Sequence, residues 1–586
     1  VSGICGWVGE ADEATLDAML DAIPHRGDRV ERAFPPGAAL GYRSWTGRIG
    51  HAPGFGRRGA TTIACAGDLA PSVADPTLAI LDALERIRRG DAEQLDGSFA
   101  AAIWDAQDER LTLVCDPFGL RSLCFVEHRG TLYFASEVKQ LLAIPGLPIE
   151  IDPLAVHHYL TFSFVAGPRL PIRGVRRVQP GRVAEFRRGD WTERPYVRLR
   201  ESIDPKLEDD AVAAAHVDAL GRAAVRARLP SDAKVGLYLS GGLDSSAIGR
   251  WLLDEGARIE AFSLDFGDFG VERAEAELAA EALGLTLNFV DASSASVAPI
   301  LADLAWRLDL PYGDGVTGPH YLLGRAASQA GVTSIFNGEG GDQLFGGWAN
   351  KPMIVAEMYG EPRPTARGRA ELFLLSYHRF HQLEHELYTE DFAKLVEAET
   401  AGRYDERLVM LERELGSPDM TTFMGRLRRT DIALKGHDNI QPRAERIAGG
   451  FGLDVRSPLF DRALTEASFS FPPRHKLRGV TEKMVLKRAV SGRLPDEIVW
   501  RQKSGMCVPT SHWVLDPLRD LVADVLGPSS LSARGWFRND YVTSLRVGKD
   551  QANELRPRRI GEKLWALLML ELWARAFIDG GGKKPS

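Results

Sequence analysis

At 586 residues the chain is too long for one hydrophobic core and implies two or three domains. Its 44% apolar and 26% charged residues are ordinary for a soluble globular protein, and a net charge of −8 leaves no basic footprint for nucleic acid. Glu10, Asp12 and Glu13 stand where a signal peptide would be basic and then apolar, and no apolar run approaches the ~18 residues of a membrane span, so a cytoplasmic protein is expected. Cys5, Cys65, Cys115, Cys124 and Cys507 are odd in number and lack metal-ligand spacing, which fits a reducing cytosol and suggests no zinc site.

Residues 1–190 read as a β-rich unit, with strands at Ala100–Trp104, Leu111–Cys115 and Thr131–Ala135, a helix over Pro76–Arg89 and a Pro/Gly turn at Asp116–Leu123. Ser2-Gly-Ile-Cys-Gly-Trp7, His25-Arg-Gly27, Leu95-Asp-Gly-Ser-Phe-Ala100, the Asp116–Leu123 turn and Phe134-Ala-Ser-Glu137 resemble the class II glutamine amidotransferase domain of asparagine synthetases. The resemblance implies an αββα sandwich, but a degenerate one. Ser2 stands where the family has its nucleophilic Cys, Cys5 is displaced into a strand, and Ala66 replaces the Asn of an oxyanion segment, a loss worth ~10²–10³ in rate.

The Arg/Glu/Pro-rich stretch 185–208 reads as a linker, and Asp209–Arg228 as an amphipathic helix opening the second domain, 209–578. The apolar run Val235–Leu239 then stops at Ser240-Gly-Gly-Leu-Asp-Ser-Ser246, which predicts strand, glycine turn and helix. Gly241 and Gly242 let backbone N–H groups approach an anion, Ser240 and Ser245 add hydroxyls, and Asp244 makes sense beside phosphate only with a divalent cation between them. The expected ligand is a nucleotide with Mg²⁺. The string is similar to the pyrophosphate loop of the ATP pyrophosphatase superfamily (adenine nucleotide α hydrolase-like), which cleaves ATP between the α- and β-phosphates.

Strands at Ile259–Leu264 and Leu287–Val290 alternate with helices, implying a parallel sheet with its ligand at the strands' C-terminal ends; the fold class is α/β. The resemblance makes the backbone of Ser263 and Leu264 the adenine reader. In Ser334–Trp348 a glycine-dense loop carries Gly338, Glu339 and Asp342; Asp342 is placed to complete the Mg²⁺ site with Asp244, and the loop to bind ATP. Lys483 and Lys503 match family positions that hold pyrophosphate, as expelling an anion requires. Residues 350–450 form a helix-rich span expected to carry substrate specificity, Asp454-Val-Arg-Ser-Pro458 resembles a further family segment, Leu564–Trp573 reads as a packing helix, and Gly580–Ser586 as a flexible tail.

The motifs resemble asparagine synthetases and their relatives, which adenylylate a carboxylate and let an amine attack. A missing glutaminase nucleophile moves the source of the amine to the substrate or to free ammonia. Phe336–Met353, with Gln343 and Trp348 where asparagine synthetases usually have Glu and Tyr, looks most like lasso peptide cyclases. This implies ATP and Mg²⁺ as cofactors, a precursor core peptide as substrate, and a leader-peptide-binding protein and a leader peptidase as partners. Ammonia-dependent asparagine synthesis and β-lactam closure are the alternatives. Glu339 is the candidate base that deprotonates the amine.

Overall fold

The computed structural model describes residues 2–46, 54–73, 75–89, 95–187, 189–231, 234–269, 273–347, 350–360, 364–376, 379–401, 405–503, 505–506, 508–548 and 557–585; Val1, Trp348 and Cys507 lie outside them. Two antiparallel six-stranded sheets stack face to face in the N-terminal half. Alternation along Ser2–Val8, Ala38–Ser44, Gly97–Asp105 and Arg110–Cys115 sends Ile4, Leu40, Ala102 and Leu113 into the layer between them. The outer face of one sheet is covered by Pro76–Arg89 through Ile80, Leu84 and Ile87, and that of the other by Glu13–Asp21 through Leu16, Met19 and Leu20. This is the expected αββα order.

The sandwich runs further than expected. Arg182–Arg187 and Asp190–Pro195 pair as a hairpin at the edge of the second sheet, running into the stretch read as a linker. Their charged composition belongs to an edge strand with one wet face, and it hid the strand period. The C-terminal glycines are not a loose tail either: the Gly582 carbonyl accepts a 2.9 Å hydrogen bond from the buried Trp306 indole.

The second domain is built on five parallel strands in the order Leu287–Asp291, Arg258–Asp265, Lys234–Tyr238, Ser334–Phe336, Asp454–Arg456. The last was recognisable in sequence only as a motif, since three residues carry no period. Helices pack on the sheet, among them Asp210–Arg226 and Leu243–Asp254, and the apolar Leu564–Trp573 lies wholly inside Pro557–Ala574 against the core. Among the described residues no helix is long and apolar enough to cross a membrane.

One long helical run matters for the site. Phe423–Asp431, the wide-turned π segment Ile432–Ile440, and Gln441–Gly449 follow one another without a break. Pro442 would clash in an ordinary α-turn and has no N–H to donate; the wide turn accommodates it, with Gln441 N–H bonding back to Gly436 O.

Candidate active site

A cavity of about 410 Å³ opens at the C-terminal ends of the parallel strands. Ser240, Gly242, Asp244, Ser245, Ser263, Leu264, Gly338, Glu339, Asp342, Lys483 and Lys503 all line it. Gly241 does not. Its φ of +71° suits glycine, and a Cβ there would lie 2.2 Å from the backbone carbon of Glu275, so this glycine lets the loop pass a neighbouring helix.

The loop is held by its own hydroxyls: Ser240 N–H donates to Ser245 Oγ at 3.3 Å, and Gly242 N–H donates to Ser240 Oγ at 3.3 Å. Gly242 caps the helix Leu243–Asp254, whose first turn contains Asp244. The second glycine-dense loop closes on the first. A Cβ on Gly341 would meet Asp244 Oδ1 at 2.3 Å and one on Gly338 would meet Ser245 N at 2.7 Å, so these glycines set the distance between the two loops.

Lys483, 2% exposed and in a left-handed conformation at φ +53°, puts its ammonium between the two carboxylates, 2.5 Å from Asp244 Oδ2 and 2.5 Å from Asp342 Oδ1. Asp342 Oδ2 also faces Lys503 Nζ at 3.4 Å. Burial pushes Lys483 down and Asp342 up, but their pairing reverses both: the lysine is raised and the carboxyl held well below the usual carboxylate range. Asp244 Oδ1 is buried with no hydrogen-bond partner. Two convergent carboxylates, one of them with an oxygen to spare, fit Mg²⁺, which takes one or two carboxylates and fills its shell from water and phosphate. Among the described residues no cluster of three or more His, Cys, Asp or Glu side chains that could hold a metal ion occurs.

A second part of the lining carries Asp314, Glu339, Lys435 and Arg443. Arg443, buried, forks between Asp314 (3.1 Å) and Glu339 (3.2 Å). Burial raises the Glu339 pKa, opposed by Arg443 and Lys435. His320 is driven down to about 3 by burial, so it is neutral here. Lys503 is placed by its own N–H donating to Glu482 at 2.6 Å, and Arg501 pairs with Glu275 at 3.2 Å. Arg443 and Asp314 join the site only through the fold, 129 residues apart in sequence. Among the described residues none from 350–430 lines the cavity; the part of the helix-rich span that does so is Lys435–Ala448.

The same helix has its other side on the N-terminal domain. Arg443, Ala444, Ile447 and Ala448 face the cavity, while Glu445 and Arg446 face the sandwich. Arg26 Nη2 donates to Glu445 at 3.0 Å and Arg121 Nη1 at 2.7 Å; Arg121 Nη1 also reaches the Ser2 carbonyl at 3.3 Å. Arg446 pairs with Glu137 at 3.1 Å, and Lys139 with Asp309 at 3.1 Å. Burial pushes the Glu445 carboxyl up, but Arg26 and Arg121 bring it down to about 2. The amidotransferase-like motif residues Arg26, Arg121 and Glu137 are therefore members of a buried ionic seam. Ser2 Oγ accepts the Gly67 N–H at 3.1 Å, and the Cys5 thiol is fully buried and pushed up by desolvation, as a small hydrophobe is.

The asparagine synthase family model matches residues 216–575, and the glutamine amidotransferase domain model matches residues 72–197. Glutamine-hydrolyzing asparagine synthetase 1 of Bacillus subtilis (strain 168) is 27% identical over 512 residues, 82% of this chain and 78% of its own length. Asparagine synthetase B of Escherichia coli (strain K12) is 22% identical over 469 residues, 77% of this chain and 68% of its own. A protein of Gibberella zeae named amidase chry2 is 24% identical over 508 residues, 75% of this chain and 74% of its own.

Proposed function

The chain belongs to the asparagine synthase family, ATP- and Mg²⁺-using ligases that form C–N bonds, and from that premise we propose that it closes a lactam ring in a peptide, as a lasso peptide cyclase. It adenylylates an Asp or Glu side chain of a core peptide and joins it to the core's N-terminal amine. The single observation that carries this reading is the N-terminal half: Ser2 and Ala66 stand in place of the glutaminase residues, and Arg121 ties the Ser2 carbonyl to Glu445 on the helix that lines the cavity. The amine must come from elsewhere, and a substrate that brings its own satisfies the site. Such a substrate also requires a leader-peptide-binding protein and a leader peptidase as partners.

In this reading the carboxylate oxygen attacks the α-phosphorus of ATP, the bond to the β-phosphate oxygen breaks, and pyrophosphate leaves beside Lys483 and Lys503 with Ser240, Gly242 and Ser245 around it. Asp244 and Asp342 would hold Mg²⁺, which supplies charge neutralisation on the phosphate oxygens. The incoming ammonium gives its proton to Glu339, the amine attacks the acyl carbon, and AMP departs as the C–O bond breaks. Arg443 opposes the upward pull of burial on Glu339 and orients it.

The relatives' names, glutamine-hydrolyzing asparagine synthetases, favour a second reading, asparagine formation, which with Ser2 and Ala66 in place of the glutaminase residues would draw on free ammonia. One experiment separates them: purified chain with ATP and Mg²⁺ is given either aspartate with ammonium or candidate core peptides. Peptide-dependent AMP release with loss of one water from the peptide supports cyclisation; asparagine production with no peptide turnover rejects it.

A further inference from the structure

Six cationic side chains line the cavity, and five of them hold a carboxylate at ion-pair distance: Arg443, Lys483 and Lys503 as described, Lys487 with Glu482 at 3.5 Å, and Arg501 with Glu275 at 3.2 Å. The sixth, Lys435, is half-buried and, among the described residues, has neither an ion pair nor a hydrogen bond. Its position makes that unexpected. Asp431 stands four residues earlier on the same helical run, the usual partner spacing, yet its carboxylate accepts from Gln343 Nε2 at 2.7 Å. Asp314, Glu339 and Asp342 all feel the Lys435 charge, but each is paired with Arg443, Lys483 or Lys503 instead.

The backbone has been bent to put Lys435 there. On a regular α-helix residue 435 would point about 140° away from residue 440. Across the π segment a five-residue step is close to one turn, so Lys435 and Ile440 share the cavity face, and Arg443, Ala444, Ile447 and Ala448 continue it at α spacing. A wide turn that aims a half-buried cation into a cavity, with no carboxylate of its own among the described residues, suits that cation to receiving an anion. The phosphate end already has Lys483, Lys487, Arg501 and Lys503 on or beside its loop. Lys435 stands on the other wall, with Arg443 and Glu339.

We propose that Lys435 is the specificity-determining residue that receives the substrate carboxylate before its activation, forming a charge-assisted hydrogen bond that holds it next to Glu339. The proposal rests on the reading above only in taking a carboxylate as the substrate; it is indifferent to whether that carboxylate belongs to a peptide or to aspartate.

Calorimetry of the full chain, loaded with Mg²⁺ and a non-hydrolysable ATP analogue, tests it with two probes: L-aspartate, and a short acetylated peptide amide carrying one aspartate. Loss of a charged hydrogen bond predicts that Lys435→Met weakens the bound probe about 10- to 100-fold and that Lys435→Arg restores most of it, with nucleotide affinity and melting unchanged. Unchanged probe affinity in Lys435→Met overturns the proposal, and so does a loss confined to the nucleotide. Absence of carboxylate binding by the wild-type chain with both probes overturns it as well. Binding of aspartate but not of the peptide leaves Lys435 in this role and counts against the cyclase reading alone.

Discussion

Replacing Lys483 by Met removes the one cation that separates Asp244 from Asp342. Because its Nζ is 2.5 Å from an oxygen of each, the two oxygens lie at most about 5 Å apart, and at an effective dielectric constant of about 20 their repulsion amounts to about 3 kcal/mol. That agrees with the ~3–5 kcal/mol typical of breaking a buried ion pair from one side. The variant's synthetase domain should therefore melt about 5 °C below wild type at pH 7.5. The deficit should shrink on acidification, since a carboxyl crowded by another has a raised pKa and its penalty vanishes once it is protonated. Millimolar Mg²⁺ without nucleotide should restore most of the lost stability in Lys483→Met and change wild type little, because the ammonium already fills the cleft there. Differential scanning calorimetry with and without Mg²⁺ measures all three. A variant that melts like wild type, or that ignores Mg²⁺, would refute the reading of Asp244 and Asp342 as a cation site.

Asp244→Asn and Lys503→Ala should each lower substrate-dependent ATP–pyrophosphate exchange by about 10³-fold, and near-normal exchange in either would remove it from the site. The raised Glu339 pKa places the acidic limb of amide formation above the ordinary glutamate range; Arg443→Met should move that limb further up and Glu339→Gln should abolish it, read from rate against pH. Glu445→Gln leaves Arg26 and Arg121 facing an uncharged group in the buried seam and should cost ~3 kcal/mol in urea denaturation. Nitrogen-15 amide-labelled glutamine should give no labelled product; label in the product would reopen the route through the N-terminal domain. The depressed Asp342 pKa contributes stability above the unfolded carboxylate value that is lost as pH falls toward its folded pKa, so Asp342→Asn should flatten the acid limb of stability below about pH 4.

Much of this was legible in the chain. Ser240–Ser246 and Ser334–Asp342 could be read because close approach between backbones demands glycine, and glycine is visible one residue at a time; Gly338 and Gly341 sit where a Cβ would strike the first loop. The carboxylates Asp244 and Asp342 stood out because a negative charge in a phosphate cradle needs a reason. The replacements at Ser2 and Ala66, on which the reading of a degenerate amidotransferase domain rests, were equally local.

What the tertiary structure decided concerns groups whose roles depend on distant partners. Asp314, in the loop ahead of Thr317–Gln329, and Arg443 become one fork only when that loop meets the long helical run, and Lys435 faces the cavity only because the helix widens between residues 432 and 440. That Gly241 packs tightly beside Glu275, where a Cβ would not fit, is visible only in the fold. Sequence fixes which side chains are available and which backbone turns they permit; docking decides which of them share a dielectric cavity. At the seam, where Glu445 of one domain neutralises Arg26 and Arg121 of the other, burial makes that choice worth several kcal/mol, and neither partner's neighbours in sequence betray it.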